Sequence, residues 1–91
     1  TAGNNVNVQK QFLVVGVTGD TTGLYGTSFA APIVSGYASV LGSKFIKATP
    51  AQISNQLLNT ARADTILGYS ASIHGRGEAS ISRALAPAAI N

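Results

Sequence analysis

Residues 28–44 are apolar or small on nearly every side of the helix they predict. Ala30, Ala31, Ile33, Val34, Ala38, Val40 and Leu41 are spread round it, and no charge occurs before Lys44. A helix that is apolar all round is a buried one, because any uncovered side would leave hydrocarbon in water. Pro32 is tolerated in a first turn, where its missing N–H has no partner to lose, so the helix is expected to start close to Ser28. Ser35, Gly36 and Gly42 would let other backbone approach closely, at a cost of up to about 1 kcal/mol for each mid-helix glycine.

The rest of the chain is poorly equipped to cover such a helix. It has 91 residues, 45% of them hydrophobic, with six Lys plus Arg, three Asp plus Glu and no cysteine. A free-standing chain of this length buries only about 60% of its unfolded surface and needs a compact core with a well-charged surface, a disulfide or a metal. Charges are scarce and disulfides are impossible. The composition therefore fits the interior part of a larger fold, and a chain that begins with Thr1 reads either as one segment of a longer polypeptide or as a product of processing.

The net charge of +3 comes from Lys10, Lys44, Lys47, Arg62, Arg76 and Arg83, scattered along the chain and not gathered on one stripe with aromatics. Nucleic-acid binding is disfavoured on that ground. The longest apolar run, 12–15 continuing past Gly16 to Val17, is too short to cross a bilayer, so no membrane span is expected. Residues 1–11 lack the basic start and apolar middle of a signal peptide. The absence of cysteine is compatible with the cytoplasm or with a disulfide-free secreted protein.

Residues 1–8 are polar and rich in Asn, and read as a loop or exposed end. Residues 12–17 form a continuous β-branched run, the pattern of a strand covered on both faces, and 19–23 a turn. Thr49, Pro50 and Gln52 announce a second helix by a Thr cap, a Pro at the first helical position and a Gln three residues after the cap. In that helix Ile53, Leu57, Leu58 and Ala61 form one apolar face, and Gln52, Asn55, Gln56 and Asn59 a wet one. Glycines 68, 75 and 77 bracket short extended pieces. Ser80 is set to cap a last helix through Ile81, Ala84 and Leu85 that Pro87 ends.

The chemistry concentrates in Gly26, Thr27, Ser28, Phe29, Ala30, Ala31, Pro32, Ile33, Val34, Ser35 and Gly36. This stretch resembles the nucleophile motif of the subtilisin-like serine proteases: Gly-Thr-Ser, a free position, Ala or Ser, a free position, Pro, two free positions, a small residue, then Gly or Ala. Every constrained position agrees, with Gly26, Thr27, Ala30, Pro32 and Gly36 supporting Ser28. The physical reading runs the same way, since a serine at a helix N-terminus sits among unpaired amides and the positive end of the helix dipole, which favour a developing oxyanion. An isolated Ser at a helix start is ordinarily a plain N-cap; here the whole pattern and the apolar helix behind it speak for the nucleophile. At lower specificity, 12–17 resembles the strand before the serine loop, 49–61 the amphipathic helix that follows, and His74, Gly75, Arg76 and Gly77 with Ser80 the closing aromatic-Gly-x-Gly segment.

The resemblance implies an α/β fold: the C-terminal part of a three-layer subtilisin-like domain, with a mostly parallel sheet and a buried helix starting at the nucleophile serine, all of 1–91 being one segment of that domain. It implies Ser28 as the catalytic residue, with its backbone amide donating to the oxyanion. In this family the triad runs Asp, His, Ser along the chain, so the acid and base are expected upstream, in the remainder of the catalytic domain. That remainder and a peptide or protein substrate are the implied partners, a secreted or cell-surface location is implied, and the 91 residues alone are expected to be inactive.

His74 is the one histidine, but it follows Ser28 where the family's base precedes it, and it reads as structural. Asp20, in a turn, and Asp64, after a surface helix, read as solvated acids, and Glu78 as a partner for Arg76 or Arg83. Ala2, Gly3 and Asn4 are similar to the segment that carries the family's oxyanion asparagine, yet too few residues separate Asn4 from Ser28. Asn4 and Asn5 read as loop residues, a shortened arrangement being the alternative. No cofactor is implied, and no metal site, the three acids being far apart and no Cys available to join His74. Against the protease reading stands a second: a truncated or pseudo-enzyme fragment that serves as a non-catalytic association module.

Overall fold

The computed structural model describes residues 1–16 and 27–90, with 27–29 described by their backbone alone. The described chain forms five helices: α1 (Val6–Gln9), α2 (Thr27–Lys44), α3 (Pro50–Asn59), α4 (Ala71–His74) and α5 (Ile81–Ala84). β structure among the described residues is confined to two single-residue bridges, Val14 with Glu78 in parallel and Arg62 with Glu78 in antiparallel sense. The expected three-layer α/β architecture with a mostly parallel sheet is therefore not what these residues build. Residues 12–14 do run extended beside 76–79, with Val14 N donating to Gly77 O and Ala79 N to Val14 O. A ladder grows only where successive residues find partners, and the pairing ends after one bridge on each side of Glu78. The strand predicted over 12–17 is thus an extended segment with one bridge, and its last residue, like the turn predicted over 19–23, lies outside the described residues.

The long helix corrects a second expectation. It starts at Thr27, close to Ser28 as expected, but it is not buried: Leu41 is fully enclosed, while Ala31, Pro32, Ser35, Gly36, Ser39 and Val40 are exposed. The reason is one-sided cover. Leu41 and Phe45 close a small core with Leu57 of α3 and Ala84 of α5, and Leu13, Val34, Tyr37 and Ala38 pack against it. These α2 positions recur every three to four residues, which selects one stripe of an otherwise uniform apolar helix. Pro32 stands inside the helix and not in its first turn, so it has no N–H to give to the Ser28 carbonyl one turn back. No described backbone comes close to Gly36 or Gly42: a Cβ at Gly36 would meet nothing within 4 Å, and one at Gly42 would make an ordinary contact with Ile53.

The capping box of α3 forms as its residues dictate, Thr49 Oγ1 accepting from Gln52 N (3.2 Å) and Gln52 Oε1 from Thr49 N (2.8 Å). One residue of its wet face turns inward, Gln56 Nε2 donating to the Ala84 carbonyl at 3.1 Å and so tying α3 to α5. Ser80 caps α5 through the Arg83 amide. The N-terminal loop expectation is corrected by α1, whose N-cap is Asn5: its side chain accepts from Asn7 N (2.9 Å) and Val8 N (3.4 Å). A polar run that supplies its own Asn cap can close one helical turn.

Candidate active site

The motif serine lies in the first turn of α2, one residue past its start at Thr27. The opening N–H groups of a helix have no intrahelical acceptor, and the summed peptide dipole leaves positive charge at that end. No acidic side chain lies in this first turn to neutralise it. Ala30 is half-buried, and Pro32 and Gly36 are exposed further along the same helix. Gly26 lies outside the described residues, as do the side chains of Thr27 and Ser28.

His74 ends α4, in an element that packs on α1, whereas α2 packs on α3. Its Nδ1 accepts the Ser70 N–H at 3.1 Å, and its ring stacks on Tyr69 with centroids 5.8 Å apart and planes 24° apart. A ring that accepts at Nδ1 carries its proton on Nε2. The imidazole thus closes its own turn. Replacing His74 with Gln is expected to leave catalysis of the full-length protein nearly unchanged and to lower its melting temperature modestly, by loss of the stack and of one hydrogen bond worth about 1 kcal/mol. A thousandfold drop in kcat with an unchanged melting temperature would contradict that role.

The acids are occupied differently from the sequence reading. Asp64 is not simply solvated: its carboxylate takes two hydrogen bonds from Arg62, Nε to Oδ1 at 3.0 Å and a terminal nitrogen to Oδ2 at 2.6 Å. Glu78 pairs with neither Arg76 nor Arg83 among the described residues; its carboxylate reaches over Gly16, while Arg76 Nε donates to the Lys10 carbonyl at 2.8 Å. Asp20 lies outside the described residues. The hydrogen bond from Arg62, opposed by partial desolvation and aided by its charge, holds the Asp64 carboxyl below the usual carboxylate range, and Arg62 is shifted further upward by the same contact. A depressed acid stabilises the fold above its unfolded pKa of about 3.9 and loses that contribution as pH falls through its lower folded value. Because both partners are exposed the effect is small. Urea midpoints measured from neutral pH to pH about 3 should therefore fall slightly more steeply in the wild type than in Asp64→Asn; parallel curves would remove the pair from the account of acid stability.

Asn4 is exposed ahead of α1, and Asn5 is its cap. The sequence reading missed the clamp formed by Tyr69, Ser70 and His74; a Tyr followed five residues later by His was the available signal, and it is a weak one. No helix among the described residues is long and apolar enough to cross a membrane.

The serine motif runs into the first turn of an 18-residue helix, and comparison with known proteins gives the family. The model of the Subtilase family matches residues 2–83, nearly the whole chain, and the chain belongs to that family. The match takes in Ala2, Gly3 and Asn4 as well as the serine motif. No curated protein and no solved structure matches the chain. Membership makes this a segment related to serine peptidases.

Proposed function

We propose that Ser28 is the nucleophile of a subtilisin-like serine endopeptidase that cleaves peptide bonds through an acyl-enzyme. One observation carries the reading: the eleven-residue serine motif, with all its constrained positions, coincides with the start of an 18-residue helix inside a family match. In the reaction, Ser28 Oγ attacks the scissile carbonyl carbon while a histidine takes its proton. The oxyanion accepts from the Ser28 amide, the C–N bond breaks as the histidine returns the proton to the leaving amine, and water hydrolyses the ester on Ser28 by the reverse proton path. His74 is engaged with Ser70 and Tyr69, so the histidine and the aspartate that orients it belong to the remainder of the catalytic domain. Secretion or display at the cell surface belongs to the same proposal.

The second reading, a non-catalytic association module, is favoured by the open apolar surface: Val40 is 48% and Ile46 79% exposed. A fluorophosphonate probe separates the two. On the full-length protein, tryptic mapping should find the phosphonate on the peptide that contains Ser28; absence of labelling, in a protein that is folded by circular dichroism, favours the module.

A further inference from the structure

We infer that the cleft between α1 and α4 docks an acidic, leucine-bearing peptide segment of a partner protein. The cleft has a volume of about 390 Å³, within the range of specific ligand pockets. Its rim carries Lys10 and Arg76, its walls Val6 and Tyr69, and no carboxylate lines it. Of the acids among the described residues, Asp64 is held by Arg62 and Glu78 reaches over Gly16.

The cations are brought together by the backbone. Arg76 Nε donates to the Lys10 carbonyl at 2.8 Å, and Arg76 N to the Phe12 carbonyl at 2.8 Å. The Arg76 side chain is exposed, and a guanidinium offers a carboxylate a planar two-pronged fork. The apolar wall is equally fixed. The Tyr69 hydroxyl donates to the Gly75 carbonyl and its ring stacks on His74, while Val6 remains 58% exposed beside it. A rigid aromatic wall beside two cations, in a cleft that no carboxylate lines, fits a chain in which glutamates or aspartates alternate with an apolar side chain, and rigidity lowers the ordering cost of binding. Two cations with one aromatic do not make the basic stripe that a nucleic acid needs.

The test uses the full-length protein carrying Ser28→Ala, so that the probe survives, and a short fluorescein-labelled peptide of glutamates and leucines read by anisotropy. Saturable binding that weakens with added salt is expected. Lys10→Gln should weaken it about two- to fivefold and Lys10→Glu further, while Arg76→Gln should cost about tenfold. Because Arg76 also braces the backbone, an unfolded Arg76→Gln leaves the decision to the two Lys10 variants and to Val6→Ser, which should weaken binding of the leucine peptide but not of a polyglutamate control. Absence of saturable binding, affinity unchanged in both Lys10 variants, or equal affinity for oligothymidylate of matched charge would overturn the proposal.

Discussion

Replacing Ser28 with alanine in the full-length protein is expected to abolish peptide hydrolysis and leave the fold standing. The two effects separate because they rest on different parts of α2. Its place in the fold is held from Val34 onward, through Leu41 and Phe45 against Leu57 and Ala84, so a hydroxyl in the first turn contributes at most about 1 kcal/mol. Under the proposed mechanism catalysis, by contrast, passes entirely through that oxygen. In subtilisin, a member of the same family, loss of the nucleophile lowers kcat about a millionfold, and that magnitude is adopted here. A fluorogenic peptide assay beside a thermal melt reads both quantities. Turnover within about tenfold of the wild type would remove Ser28 from the nucleophile role, and a collapse of the melting temperature would show that the first turn matters to folding as well.

What could be read in the sequence is what is decided locally. The Thr49 to Gln52 capping box needs only residues three apart, and the Ser80 cap likewise; both form as read. The start of α2 was legible because the serine motif and the apolar run begin together. Which side of α2 is covered was not, because an all-round apolar helix has no periodicity to choose a face, and the choice falls to Leu57 and Ala84 from later in the chain. The run 12–15 has the composition of a two-sided strand, but composition says nothing of how many partners arrive, and among the described residues one bridge forms. His74 reads as structural in the sequence because it follows Ser28. That its Nδ1 would close on Ser70 required the turn itself.

Alanine at Gly75 or Gly77 is expected to be the most damaging small change to the fold, although neither residue lies on a helix or in the serine motif. The chain reverses at His74, Gly75, Arg76 and Gly77, with Gly77 N donating to the His74 carbonyl at 3.0 Å. Gly75 sits at φ 58°, ψ −122°, the first central position of a type II′ turn, which favours glycine. The turn then lays Gly77 and Glu78 between residues 12–14 and Arg62, so both glycines face backbone at close range. A Cβ on Gly75 would stand 2.4 Å from Phe12 Cβ and 2.5 Å from its carbonyl oxygen, and one on Gly77, at φ 104°, 2.4 Å from the Arg62 carbonyl. Neither obstacle is the movable end of a side chain. Each substitution therefore adds a clash with backbone to dihedral strain, about 3 kcal/mol or more together. Gly68 supplies the control: its φ is 68°, also positive, but nothing lies within 4 Å of its Cβ position, so Gly68→Ala carries strain alone, about 1 kcal/mol. Chemical denaturation of the three variants in the full-length protein should rank Gly68→Ala well above the other two in midpoint. Equal midpoints would mean that the reversal at Gly75 and Gly77 yields readily, and that the bridges at Glu78 do little to hold residues 12–14 beside Arg62.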